Sequence, residues 1–121
     1  MHKKQKKSEL AVHFFHKKPY NYNCAQAVVK ACQQDFNISD DEIENYRQCG
    51  GGRAENNYCG AFYAGLQLLK NRPEQQHLFA EKFTTIATTG VCTRREHNRK
   101  LSCVELVELA GSLIEEVMED K

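Results

Sequence analysis

At 121 residues the chain has the length of one domain, enough to bury a single core without disulfide staples. Its 17 basic residues against 16 acidic ones leave a formal charge of +1, which excludes the broad positive field that gathers nucleic acid or an anionic membrane. No apolar run approaches the roughly 18 residues needed to span a bilayer, and the basic start runs into "SELAVHFFH", interrupted by Glu9 and His13, so it reads as neither a signal peptide nor an anchor.

The expected location is therefore cytoplasmic, where thiols are kept reduced and stable disulfides are uncommon. Six cysteines in that compartment call for metal binding, redox chemistry or ordinary burial.

In chain order, a first helix is expected over residues 3–17, stopped by "KKPYNYN" with Pro19. The charge run "HKKQKK" at 2–7 reads as its solvated end. A second helix follows over 24–36, with Asn23 as N-cap and Gln26 completing a capping box. Ser39 and Glu42 carry the same signature for a short third helix over 40–48, which the glycine run ends.

A fourth helix is expected from Asn57 to Lys70, and a fifth from Pro73 to Thr88, where proline suits the first turn. After the loop "TGVCTRREHNRKL", Ser102 and Glu105 form a third capping box that opens a long helix to residue 119. No period-two alternation, internal repeat or dividing linker interrupts this pattern. The expected fold is all-α: one domain over 1–121, a bundle of five to six helices, with 1–22 an N-terminal helix and loop.

Three cysteines fall where predicted helices start: Cys24 after Asn23, Cys59 after Tyr58 and Cys103 after Ser102. A helix N-terminus presents unpaired N–H groups and the positive end of the macrodipole, which favours a thiolate, the form that binds metals and attacks disulfides. Cys103 continues the apolar stripe Leu106, Val107, Ala110, Leu113, Ile114 and Val117, and Cys59 precedes Phe62, Tyr63, Leu66 and Leu69, so both sulfurs are expected to point inward. Cys92 lies in the loop before Cys103.

The remaining two thiols have plainer readings. Cys32 sits on the stripe Ala25, Val28, Val29, Cys32, Phe36 and reads as a core residue. Cys49 is equally a helix-end core residue or a thiol near Cys59. The run Gly50, Gly51, Gly52 lacks the Gly-Lys-Ser/Thr ending of a P-loop, and with Gly60 it suits backbone brought close to a bulky or anionic centre; a tight turn with no ligand is the plain alternative.

The spacing contains no C-x2-C pair, which excludes a zinc ribbon, a thioredoxin-type dithiol and haem attachment through C-x-x-C-H. Scattered thiols brought together by the fold suit an iron–sulfur cluster, an unusual structural metal or a dispersed thiol/disulfide pair.

"NCAQAV" at 23–28, "GGGRAENNYCGA" at 50–61, a cysteine after the fifth helix and "CVELVELAGSLIEE" at 103–116 together resemble the bacterial family named for its C…GCAxxG…C…C pattern, over residues 23–116. That family is regarded as redox-active, and a similar domain of split-Soret cytochromes is thought to hold a two-iron cluster. The resemblance implies metal ligation by Cys24, Cys59, Cys92 and Cys103, a [2Fe–2S] cluster as cofactor, and a homodimer. The chain departs from the pattern in "CGAFYAG", where Ala64 takes the place of the motif's glycine and Gly65 follows.

Three functions stay open on the residues. The first is electron transfer or redox sensing through a four-cysteine iron–sulfur centre, with glycine N–H groups at Gly50, Gly51, Gly52 and Gly60 tuning it and an unidentified redox partner protein. The second is an enzyme-like thiol/disulfide exchanger using Cys59 and Cys24. The third is a helical interaction module with structural zinc or no metal, for which His97 is a candidate mixed ligand. Phe14, Phe15, Tyr20 and Tyr22 either build a dimer contact or cover the bundle.

Overall fold

The computed structural model describes residues 6–15, 21–49, 58–87 and 101–119. They form seven α-helices: α1 (Lys7–Phe14), α2 (Cys24–Ala31), α3 (Gln33–Phe36), α4 (Asp40–Asn45), α5 (Gly60–Leu68), α6 (Pro73–Ala87) and α7 (Cys103–Glu119), with a 3₁₀ turn over Tyr46–Cys49. No strand occurs among the described residues, and a single parallel bridge joins Phe15 to Tyr22. The fold is all-α, as the absence of period-two alternation predicts.

The count exceeds six because the second expected helix is broken at Cys32. Its N–H is shared between the Val28 and Val29 carbonyls at 3.2 and 3.1 Å, and its backbone opens to φ −100°, ψ 3°. The chain then turns once more as α3 and stops at Asn37, a left-handed residue with φ 57°. Helix α1 is shorter than expected and gives way to extended backbone at Phe15, well before Pro19.

Helix starts follow the capping chemistry. Asn23 Oδ1 accepts from Gln26 N–H at 2.8 Å, while Gln26 Oε1 accepts from Asn23 N–H at 3.1 Å. At α7, Ser102 and Glu105 make the same reciprocal pair at 3.2 and 2.9 Å. At α4, Ser39 Oγ accepts from Glu42 N–H at 3.1 Å.

Helix α7 lays its stripe of Leu106, Val107, Ala110, Leu113, Ile114 and Val117 into the core, all buried. It packs on α1, α2, α5 and α6, while α2 touches α1, α3, α4, α5, α7 and the 3₁₀ turn. Between α5 and α6 the core is aromatic. Phe62 stacks on Phe79 at 5.9 Å, and Phe83 lies 4.9 Å from Phe62 and 5.7 Å from Phe79. Phe14 and Phe15 rest half-buried on the core and Tyr22 is buried, while Tyr20 lies outside the described residues. No helix among the described residues is long and apolar enough to cross a membrane.

Lys7 corrects the reading of the charge run as solvated. It is 6% exposed, because its ammonium pairs with Asp35 on α3 and its backbone N–H donates to Glu115 Oε1 on α7 at 3.0 Å. Its backbone also lies against Gly111, where an added Cβ would stand 2.8 Å from the Lys7 carbonyl oxygen.

Cys32 is the core residue its stripe predicts, 0% exposed. Burial pushes its thiol up to about 12 from 9.0; Lys7 opposes this, and Asp35 and Glu115 reinforce it. The unfolded chain ionises Cys32 first, so above pH 9 it binds fewer protons than the folded chain. Stability contributed by this thiol is therefore full below pH 9 and falls as pH rises toward 12. The expected slope is about 1.4 kcal/mol per pH unit. Urea melts of the wild type and Cys32→Val at pH 8, 9 and 10 check it: part of the alkaline loss should vanish in the variant.

Candidate functional site

Helices α2 and α5 meet at their N-terminal ends, and each end carries a cysteine. Cys24 is the first residue of α2, behind the Asn23 cap; Cys59 is itself the N-cap of α5, with extended backbone at φ −55°, ψ 133°. The two side chains adjoin, and Cys24 is the largest influence on the Cys59 thiol. Cys59 is 5% exposed, whereas Cys24 is half-buried and borders the surface. No disulfide joins any of Cys24, Cys32, Cys59 and Cys103.

The electrostatics of Cys59 differ from the helix-start expectation. The Cys24 side chain and then burial hold its thiol far above the ordinary range, and the charge of an ionised Cys24 adds to this. The Phe62 and Ala61 backbone N–H groups do favour the thiolate, as a helix N-terminus should, but their effect is smaller. They also fall short of a side-chain cap hydrogen bond. The neighbouring sulfur and burial together hold Cys59 in its protonated form.

Of the four expected metal ligands, Cys24 and Cys59 adjoin. Cys103 is the first residue of α7 and half-buried. Among the described residues no three His, Cys, Asp or Glu side chains group to hold a metal ion, so Cys103 does not complete a three-sulfur set with that pair. Cys92, His97 and Gly50, Gly51 and Gly52 lie outside the described residues. Cys49 ends the 3₁₀ turn, and its side chain is likewise outside them. Gly60, directly after Cys59, is the buried first residue of α5.

The glycine that serves close packing is Gly65. A Cβ there would stand 2.1 Å from the Phe79 ring, whereas Ala64, at the position of the family pattern's glycine, is simply buried.

Sequence reasoning named Asn23 only as a cap. Its amide nitrogen also donates to the Tyr46 carbonyl at 3.2 Å and the Arg47 carbonyl at 2.8 Å, which no local pattern announces. Comparison with family models, with curated proteins and with solved structures found no match.

Proposed function

We propose that this is a redox-active thiol protein whose working pair is Cys24 and Cys59, a dithiol that closes to a disulfide by exchange with a protein disulfide. The observation that carries the reading is the juxtaposition itself: two adjoining thiols from separate helix starts, one half-buried and one buried. That asymmetry assigns the roles, because an attacking sulfur needs access and a resolving sulfur needs only its neighbour.

The Cys24 thiolate attacks one sulfur of the partner's disulfide and forms a mixed disulfide while the other sulfur leaves as a thiolate. Cys59 gives its proton to that thiolate and attacks the Cys24 sulfur, and the partner's remaining sulfur departs as a thiolate. The partner gains two electrons, and the Cys24–Cys59 pair loses them. The reverse sequence reduces the pair with a partner dithiol. A cytoplasmic setting suits this cycle, since thiol systems there reset the reduced state.

A second reading rests on the coincidence that the two adjoining thiols are two of the four ligand positions the family resemblance names. Cys24 and Cys59 fit as one half of a [2Fe–2S] or zinc site, which would supply one-electron transfer or rigidity; the described residues do not supply the other half.

One preparation separates the readings. Protein purified without oxygen is assayed for iron, sulfide and zinc, then exposed to oxidised glutathione, counted for thiols and mapped by mass spectrometry. The expected result is loss of two thiols, a Cys24–Cys59 disulfide, and faster alkylation of Cys24 than of Cys59 in the reduced chain. Iron with matching sulfide selects the second reading. All six thiols surviving oxidation in metal-free protein would overturn both.

A further inference from the structure

The stretch that carries Cys24 is held by more than its own cap. Hydrogen bonds cross from it to α4 and the 3₁₀ turn: Asn23 Nδ2 to the carbonyls of Tyr46 and Arg47, Gln26 Nε2 to the Ile43 carbonyl at 3.3 Å, and Arg47 Nη1 back to the Asn21 carbonyl at 3.4 Å. Gln26 is wholly buried, and Arg47 is itself gripped by Glu44 through two bonds of 3.0 Å. An N-cap needs only an acceptor, which serine supplies at α4 and α7. Asparagine at α2 adds an NH₂ group, and the bonds it donates to Tyr46 and Arg47 reach a different element.

We propose that Asn23 is the positioning residue of the thiol pair: its amide nitrogen fastens the Cys24 end of α2 to the Tyr46 and Arg47 carbonyls, and this tether sets how readily the Cys24–Cys59 disulfide closes. The inference rests on the dithiol reading above. Disulfide closure depends on the effective concentration of one thiol at the other, and that concentration rises when the helix start is pinned before reaction. With the amide gone, the first turn of α2 keeps its cap and loses its anchorage, so the reduced pair samples more arrangements and closes less favourably.

The test uses the full chain with Asn23→Ser and Asn23→Asp. Both retain an acceptor for the Gln26 N–H and both lack the NH₂ group. Each variant is equilibrated across a series of glutathione ratios, the Cys24–Cys59 disulfide is quantified by peptide mapping, and thermal unfolding is recorded in parallel. The expected result is a fall of about tenfold in the closure constant in both variants, with the chain folded at the assay temperature. An unchanged constant beside a lowered melting temperature overturns the proposal and leaves Asn23 as a structural cap. A fall in the aspartate variant alone assigns the effect to added charge and also overturns it. Failure of the dithiol reading is separately visible, because the wild type then forms no Cys24–Cys59 disulfide at any ratio.

Discussion

Replacing Gly65 by alanine is expected to destabilise the fold by about 1–3 kcal/mol, although alanine is the better helix former by about 0.8–1 kcal/mol. The sign is decided by space. The new methyl would lie 2.1 to 2.8 Å from three atoms of the Phe79 ring, well inside contact distance. A flexible side chain would swing away, but Phe79 is 0% exposed and packed against both Phe62 and Phe83. Either the ring leaves its rotamer or α5 and α6 separate, and both loosen the aromatic packing between these helices. Urea unfolding of Gly65→Ala, Phe79→Leu and the double variant checks the mechanism. Removing the ring edge should make the second substitution cheaper, giving a coupling of at least about 0.5 kcal/mol. Strict additivity would assign the loss to something other than this contact.

The second large effect concerns the buried ammonium. Asp35→Ala leaves Lys7, 6% exposed, facing the interior with its carboxylate partner gone, and breaking a buried pair in this way costs about 3–5 kcal/mol. Asp35 is itself 31% exposed, so water can reach the site and the loss should fall toward the lower end of that range. Lys7→Met is expected to cost markedly less, because it keeps most of the apolar stem and leaves a carboxylate that solvent can reach. The asymmetry is the prediction. Equal losses in chemical denaturation of the two variants would show that the pair, and not the stranded cation, carries the energy.

Features encoded by neighbouring residues were legible in the sequence. The reciprocal pairs at Asn23 with Gln26 and Ser102 with Glu105 depend on residues three apart, and both formed. The buried stripe of α7 depends only on helical period, and every residue named in it is buried.

What depends on distant chain was not legible. "HKKQKK" has the composition of a solvated end, and Lys7 escapes it only because Asp35 and Glu115 arrive from α3 and α7. The helix-start argument named Cys24, Cys59 and Cys103, which all stand at helix starts, and periodicity placed Cys59 inward, where it is; that Cys24 lies opposite it was not legible, because periodicity reports which face is buried and not which helix faces it. The same argument made Cys59 a thiolate. It accounted for the backbone N–H groups, which do act in that direction, and had no means of including the neighbouring sulfur and the burial that outweigh them.

The seam between α1 and α7 also bears on how the chain assembles. The bond from the Lys7 N–H to Glu115 spans 108 residues, so the contact closes a loop covering most of the polypeptide, and loop closure of that span costs entropy before any packing repays it. Helix α1, only eight residues long, is too short to persist alone in water. Its neighbour α2 is made soon after it, but its second packing surface, on α7, is completed only when the last helix has been made. The α1–α7 contact is therefore expected to form on the late side of the folding barrier. Substitutions in that seam, such as Gly111→Ala, should leave the refolding rate nearly unchanged and speed unfolding instead, making the seam the first part of the protein to open.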